Sequence, residues 1–130
     1  SEGLASVKQK GNYGFINAEG ELVISATFEF AFAFNGGLAR IFANGKYGFI
    51  NKQGTIIIDP FYQRARDFSE DLAAVLIEGK WGYINSSGKT VIDPVYSQAL
   101  NFRGGLASVN FNGKWGYINK SGKFVWEPTK

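Results

Sequence analysis

The residue types that most often carry catalysis are scarce in this chain. Its 130 residues include no cysteine and no histidine, which excludes thiol catalysis, the usual zinc sites and a Ser-His-Asp triad. Paired carboxylates are the remaining route to hydrolysis, and the candidates are Glu70-Asp71, Asp59 and Asp93. Asp59 and Asp93 each precede a proline, where an aspartate that caps a helical turn is a complete structural explanation. We therefore expect a protein that is not an enzyme and has no metal or other cofactor.

Aromatic side chains are the second group that could do chemistry, because their rings can bind sugars or peptides. The sequence contains 12 Phe, 6 Tyr and 3 Trp. An aromatic-glycine pair recurs every 34 residues, at Tyr13-Gly14, Tyr47-Gly48, Trp81-Gly82 and Trp115-Gly116. A fixed period of roughly 20–50 residues is the signature of tandem repeats. The chain is therefore one small sequence written four times.

Short apolar runs divide each repeat into strands. In the third repeat these runs are Leu72–Ile77, Trp81–Asn85 and Thr90–Ile92. They are rich in β-branched and aromatic residues and are separated by glycine turns, which is typical of β-strands. Each repeat is therefore predicted to be a three-stranded meander, although 34 residues is also a period found in helical repeats.

The turns between these strands are specified by their residue types. Asn44-Gly45 and Asn112-Gly113 predict type I′ hairpin turns, which need positive φ at both central residues. Lys10-Gly11 and Glu78-Gly79 keep only the glycine, so their turn type stays open. The second turn, as in Asn85-Ser86-Ser87-Gly88, places Asn first and Gly fourth, which predicts a type I turn.

The connectors between repeats allow two interpretations. Asp93-Pro94 is followed by Tyr96, Ala99 and Phe102, three residues apart. Aspartate as a cap and proline at the first helical position predict a short helical turn. An extended connector is the alternative.

These elements together predict an all-β fold with short helical turns in the connectors. A sheet of three short strands cannot cover its own faces, so the repeats must stack on one another. We expect one domain over residues 1–130, with copies at about 3–36, 37–70, 71–104 and 105–130, the last incomplete. Thirty-four residues are fewer than the ~40–45 of a propeller blade, which favours an open or partly curled array.

The repeated rings are best interpreted as core. Trp81 and Tyr83 point to one side of their strand, and Gly82 and Ile84 point to the other. Gly82 would let a ring or backbone of a neighbouring repeat approach closely. The alternative is a ladder of exposed rings. Ligand binding is instead predicted at residues that individual repeats do not share, namely Phe42, Phe61, Arg64, Arg66 and Phe111.

Charge and hydropathy narrow the class of partner. The net charge of +3 is small and diffuse, whereas nucleic-acid domains usually have a clustered basic face. No stretch approaches the ~18 apolar residues of a membrane-spanning helix. Lys46, Lys80 and Lys114 recur after a turn glycine, either as solvated lysines or as a rim for an anion.

The chain begins inside a repeat at Ser1-Glu2-Gly3, as an excised domain or processed product would.

The segment Gly79-Lys80-Trp81-Gly82-Tyr83-Ile84-Asn85, followed by Val91-Ile92-Asp93-Pro94, resembles the bacterial WG (KWG) repeat family. The resemblance covers essentially the whole chain, although Tyr13 and Tyr47 stand in place of tryptophan in the first two copies. It implies a β-rich module of a bacterial, often exported or cell-envelope protein, and it brings no catalytic residues.

The sequence thus predicts a non-catalytic binding or scaffolding module with a protein or cell-envelope partner. The alternative is a carbohydrate-binding module that holds cell-wall glycan on exposed aromatic rings. Nucleic acid is not expected as a partner, and the oligomeric state stays open.

Overall fold

The computed structural model describes residues 2–126, and within that range the protein consists of strands without any helix. The all-β prediction is confirmed. The strands are β1 (Ala5–Gln9), β2 (Asn12–Ile16), β3 (Leu22–Phe28), β4 (Phe30–Asn35), β5 (Leu38–Ala43), β6 (Lys46–Ile50), β7 (Ile56–Tyr62), β8 (Arg64–Ala65), β9 (Leu72–Ile77), β10 (Lys80–Asn85), β11 (Thr90–Tyr96), β12 (Gln98–Ala99), β13 (Leu106–Phe111), β14 (Lys114–Asn119) and β15 (Phe124–Trp126). Residues 127–130 of the fourth predicted copy lie outside the described range.

Each repeat forms one open antiparallel sheet, numbered here as sheets 1 to 4. The strand orders are β1-β2-β3, β4-β5-β6-β7, β8-β9-β10-β11 and β12-β13-β14-β15. The predicted meander is present in each sheet, and the connector adds an outer strand to sheets 2, 3 and 4. The chain forms two compact units, residues 1–62 with sheets 1 and 2 and residues 63–130 with sheets 3 and 4. The single domain over 1–130 stays a prediction.

The hairpin turns are of one type in all four repeats. Asn44 and Gly45 have φ of 53° and 80°, as a type I′ turn requires. Lys10 and Glu78 adopt φ of 53° and 50° at the same position without being asparagine. The glycine that follows is therefore sufficient for this turn. In the second turn, Asn85 Oδ1 accepts the backbone N–H groups of Ser87 and Lys89, both at 3.0 Å.

The predicted helical turn in the connectors is wrong. Asp93-Pro94 lies inside β11, and Asp59-Pro60 lies inside β7, so the chain is extended at both places. Trp81 pairs with Tyr96 and Tyr83 pairs with Ile92, so Gly82 alone stands opposite residues 93–95. This arrangement is a β-bulge, where proline is tolerated because a ladder hydrogen bond is already missing. The bulge accounts for the Asp-Pro pair in place of a helix cap.

The glycine of the aromatic-glycine pair is required by this bulge. A Cβ atom on Gly82 would lie 2.6 Å from the carbonyl oxygen of Ile92 and 2.8 Å from the nitrogen of Pro94. Gly48 is in the same position against Ile58 and Pro60, at 2.5 Å and 2.7 Å. Close approach of backbone was predicted here, but from a neighbouring repeat. The approaching strand belongs to the glycine's own repeat.

The two sheets of the second unit pack face to face. One side of sheet 3 meets the opposite side of sheet 4 and the connector between them. The buried cluster contains Leu72, Ala74, Trp81, Tyr83, Ile92, Tyr96, Ala99, Phe102, Ala107, Val109 and Ile118. Tyr83 contacts Phe102 edge-on at 4.9 Å between ring centroids. The interpretation of Trp81 and Tyr83 as core residues is therefore confirmed.

The first unit has the same packing of one sheet and its connector against the next sheet, an arrangement called here the joint. Its core contains Phe15 from sheet 1 together with Ala31, Phe34, Ala39, Ile41 and Ile50 from the connector and sheet 2. Phe15 contacts Phe34 edge-on at 4.8 Å, at the positions that Tyr83 and Phe102 occupy in the second unit. One joint geometry thus serves both units.

A carboxylate strengthens each joint on its polar side. Glu70 accepts hydrogen bonds from the backbone N–H groups of Gly104 and Gly105, at 2.6 Å and 2.8 Å. Lys120 Nζ lies 3.6 Å from the same carboxylate. The two glycines have φ of 59° and 83°, so that their successive N–H groups form an anion-binding nest. Glu2 binds Gly36 and Gly37 in the same way, at 2.8 Å and 3.0 Å.

We expect Gly82→Ala to lower the free energy of unfolding by about 2–3 kcal/mol, because the added methyl group overpacks the bulge. Gly79→Ala is the matched control: it has open space for the methyl group and φ of +84°, and it should cost only about 1 kcal/mol through backbone strain. Urea unfolding of both variants measures the difference. Equal stability of Gly82→Ala and the wild type would contradict the bulge explanation.

The Glu70 joint predicts a pH dependence of stability. Hydrogen bonds from Gly105 and Gly104, with the charge of Lys120, hold the pKa of Glu70 below its ordinary value of 4.5. The joint therefore contributes stability above pH 4.5, and this contribution is lost as the pH falls through the lowered folded-state pKa. Thermal melts at neutral pH should show a lower Tm for Glu70→Gln, with the difference vanishing in acid. Glu78→Gln, in an exposed turn, is the control and should not change that profile.

Candidate functional site

One side of sheet 4 is partly exposed. The other side lies in the core, while this side carries Leu106, Ser108, Trp115 and Tyr117, here called the repeat-4 face. Trp115 is 46% exposed and Tyr117 is 43% exposed. These positions alternate along β13 and β14, as residues on one side of a strand do. A tryptophan and a tyrosine therefore present their rings on one surface.

The equivalent side of sheet 3 is closed. Trp81 is only 7% exposed and Tyr83 is fully buried, although both have the same local sequence as Trp115 and Tyr117. The difference arises because the connector that contains β12 and Phe102 covers sheet 3. Within residues 63–126, no equivalent segment covers the repeat-4 face.

A groove of about 470 Å³ adjoins the repeat-4 face. Its walls combine apolar groups with polar groups. The lining residues are Arg66, Leu100, Asn101, Arg103, Leu106, Ser108 and Tyr117. The lining thus includes two guanidinium groups and no carboxylate, so the groove favours a ligand that offers acceptors or negative charge.

Arg66 is held in a fixed orientation at the edge of this groove. Its Nε donates a hydrogen bond to the carbonyl oxygen of Ala99 at 2.9 Å. Its guanidinium carbon lies 5.0 Å from the ring centroid of Trp81, within the range of a cation–π contact. Arg66 therefore brings a positive charge to the groove.

Asn101 contains an unsatisfied polar atom. Its Oδ1 is buried and has no hydrogen-bond partner among the described residues. Leaving a buried acceptor without a donor costs about 1–3 kcal/mol. A ligand in the groove that supplies an N–H or O–H would remove this cost.

The five predicted binding residues are divided between the two units, with Phe42 and Phe61 in the first and Arg64, Arg66 and Phe111 in the second. Arg66 lines the groove, whereas Arg64 is exposed on β8. Phe111 is half-buried, 6.2 Å from the ring of Tyr96. In the first unit, Phe42 is half-buried and its ring lies 4.8 Å from that of Tyr47, while Phe61 is 63% exposed. A binding role for these five residues stays a prediction.

Sequence reasoning missed Asn101, Arg103, Trp115 and Tyr117. The first two could have been found, because they are not shared between repeats: the preceding connector has Asp67 and Ser69 at their positions. Trp115 and Tyr117 could not have been found in this way, because the equivalent residues of sheet 3, Trp81 and Tyr83, lie in the core.

The candidate carboxylates lie in both units, Asp59 in the first and Glu70 and Asp93 in the second. Glu70 is engaged by Gly104 and Gly105, while Asp59 and Asp93 are exposed on different sheets. Within residues 2–126, no three acidic side chains come close enough to hold a metal ion. Burial, with a smaller contribution from Asp93, raises the pKa of Tyr96.

The fold and its joints define a tandem β-repeat protein. The WG-containing repeat family matches residues 13–47, 47–81, 81–115 and 115–129. The chain therefore belongs to this family, as the motif around Trp81-Gly82 predicted. No curated protein matches the chain. Among the described residues, there is no helix with the length and apolar character needed to cross a bilayer.

Iodide quenching should separate the two environments of tryptophan. Trp115→Phe should reduce the fraction of the fluorescence that iodide quenches, because it removes an exposed indole, whereas Trp81→Phe should leave the quenchable signal intact. Stern–Volmer titration of both variants measures this fraction. A larger loss in Trp81→Phe would contradict the exposure of the repeat-4 face.

Proposed function

We propose that the chain is a non-catalytic binding module that engages a protein partner through the repeat-4 face and its groove. The observation that carries this proposal is the contrast between Trp81 and Trp115. Identical local sequences are buried in sheet 3 and exposed in sheet 4. The exposed side therefore has the composition of a protein core and lacks a cover among residues 63–126.

The residue types of this surface support a protein partner. Trp, Tyr and Arg are the side chains most enriched among interface residues that dominate binding energy. Trp115, Tyr117, Arg66 and Arg103 bring these types to one region of the second unit. The strands β13 and β14 are already paired, so little ordering of the module is needed on binding.

The pKa of the candidate carboxylate Glu70 supports the proposal that the chain has no catalytic role. General acid catalysis needs a carboxyl group whose pKa is raised toward the working pH. The pKa of Glu70 is instead lowered, by backbone hydrogen bonds from Gly105 and Gly104. This supports a structural role for Glu70.

A carbohydrate-binding module is the second candidate. The observation that favours it is the exposure of two adjacent rings, Trp115 and Tyr117, beside the polar side chains of Asn101 and Ser108. Sugar rings stack on such surfaces. The family resemblance implies a cell-envelope setting for either kind of partner.

Affinity capture with matched variants tests the proposal. The immobilised chain is exposed to an envelope extract of the source organism and, in parallel, to a glycan array. We expect a protein that is retained by the wild type and lost with the double variant Trp115→Ala/Tyr117→Ala. Phe30→Ala, which removes a ring of similar exposure in the first unit (49%, against 46% for Trp115), should retain it.

Two outcomes would contradict the proposal. Glycan binding that the double variant abolishes would support the carbohydrate-binding candidate instead. Protein retention that is equal for the wild type and the double variant would exclude the repeat-4 face as the site. Circular dichroism of each variant confirms that the sheets are intact.

A further inference from the structure

We infer that a pocket between sheets 3 and 4 binds a lysine side chain of a partner polypeptide, with Asp93 as the counter-ion of its ammonium group. The pocket lies between the edge strand β11 and the turn of residues 119–122 in sheet 4. It shares no lining residue with the groove of the repeat-4 face. The inference therefore goes beyond the proposed function and concerns a second surface of the same unit.

The pocket combines a charged group with apolar walls and hydroxyl groups. It has a volume of about 310 Å³, and its lining includes Val91, Asp93, Val95, Tyr96 and Ser121. The two valines are 42% and 44% exposed, so their methyl groups are available to a ligand. This volume is at the lower end of the range for small-molecule sites. It suits one side chain of a larger ligand.

Asp93 is the only charged residue among the described residues that line the pocket. Its side chain is exposed, and within residues 2–126 no hydrogen bond or ion pair engages its carboxylate. The charge acts on the pocket itself, because burial and, to a smaller extent, Asp93 raise the pKa of Tyr96. A carboxylate in this state favours a ligand with a positive charge.

The fold itself does not require a carboxylate at residue 93. The bulge of β11 depends on Gly82, over which the strand passes closely. In the first unit the equivalent residue is Ser25, and β3 nevertheless pairs with β2 in the register that β11 has with β10. The strand therefore forms with an uncharged residue at this position. The charge of Asp93 is available for binding.

Lysine matches this pocket better than arginine. Its ammonium group donates hydrogen bonds from one point to acceptors on several sides, whereas a guanidinium presents a rigid planar fork. Ser121 Oγ donates its proton to Asn119 Oδ1 at 2.7 Å, so its lone pairs remain as an acceptor beside the carboxylate. Val91 and Val95 offer apolar contact to the four-carbon stem of a lysine.

A polypeptide is a better occupant than a metal ion. Calcium takes about six to eight oxygen ligands, whereas no three acidic side chains come together within residues 2–126. The strand β11 is the outer strand of sheet 3, and an edge strand presents unpaired backbone groups to a chain that lies beside it. A polypeptide that carries the lysine thus finds both an ion pair and backbone partners at this edge.

Nuclear magnetic resonance titration of the intact chain tests this inference. The probe is Nα-acetyl-lysine methylamide, and its matched control, Nα,Nε-diacetyl-lysine methylamide, has the same stem without the charge. We expect saturable shifts of the backbone amide signals of Asp93, Ser121 and Gly122 with the lysine probe and none with the control. Added salt should weaken the binding of the lysine probe, because a partly exposed ion pair is screened.

Variants of the protein locate the site. Asp93→Ser introduces the residue that repeat 1 has at this position, so the strand should still form. It should weaken binding of the lysine probe about fivefold, the factor expected of a partly exposed ion pair. Glu78→Gln removes the same charge from an exposed turn outside the pocket, and it should leave the affinity unchanged.

Several results would overturn the inference. They are the absence of shifts with the lysine probe, equal binding of the charged and the acetylated probes, and equal affinity of the wild type and Asp93→Ser. Binding of Nα-acetyl-arginine methylamide at least as tight as that of the lysine probe would also overturn it. An aspartate that only keeps an edge strand from pairing with other chains would give increased self-association of Asp93→Ser in analytical ultracentrifugation, without any change in probe binding.

The test also separates this inference from the proposed function. The variant Trp115→Ala/Tyr117→Ala should bind the lysine probe as the wild type does, because both rings lie outside the pocket. Loss of probe binding in this variant, with its sheets intact by circular dichroism, would overturn the assignment of the lysine to the Asp93 pocket. Failure of protein capture by the repeat-4 face leaves the Asp93 pocket unaffected.

Discussion

The close passage of one strand over a glycine is the constraint on which this architecture depends. At Gly48, an added Cβ atom would lie 2.7 Å from the nitrogen of Pro60, so only glycine fits below the bulge. A bulge bends its strand and increases the local twist. The bent strand then leaves its own sheet, and after one residue the chain enters the next sheet, as β3 passes to β4 and β11 to β12. The aromatic-glycine pair therefore allows the chain to leave one repeat and enter the next.

The polar side of the joint adds a second regularity that the aromatic pattern does not reveal. The turn that precedes the first strand of the meander carries glutamate in repeats 1 and 3, at Glu2 and Glu70, and a glycine pair in repeats 2 and 4, at Gly36-Gly37 and Gly104-Gly105. In each unit the glutamate accepts both glycine N–H groups. A glycine pair forms this nest easily, because both residues adopt positive φ without strain. Neighbouring repeats are thus complementary rather than identical, and the repeat sequence alternates for a physical reason.

Local chemistry made most of the fold predictable, while its joints depend on distant residues. The Asn-Gly and Asn-x-x-Gly turns are set by a few adjacent residues, and the structure has them where the sequence indicated. Asp93-Pro94 has the local signature of a helix start, but the competing bulge depends on Gly82 in the preceding strand. Trp81 and Trp115 share their flanking residues and differ in exposure. No local rule could separate them, because the difference lies in what packs above each ring.

The binding proposed for the repeat-4 face would need no site separate from the residues that stack one repeat on the next. The side chains that bury one repeat against the next are already ordered by paired strands, and such preorganisation reduces the entropy lost on binding. In that proposal the shared residues Trp115 and Tyr117 would supply apolar contact, as Trp81 and Tyr83 do inside the core. Selectivity in the proposed binding would have to come from residues that the repeats do not share. Asn101 and Arg103 fulfil that condition in the groove of repeat 4.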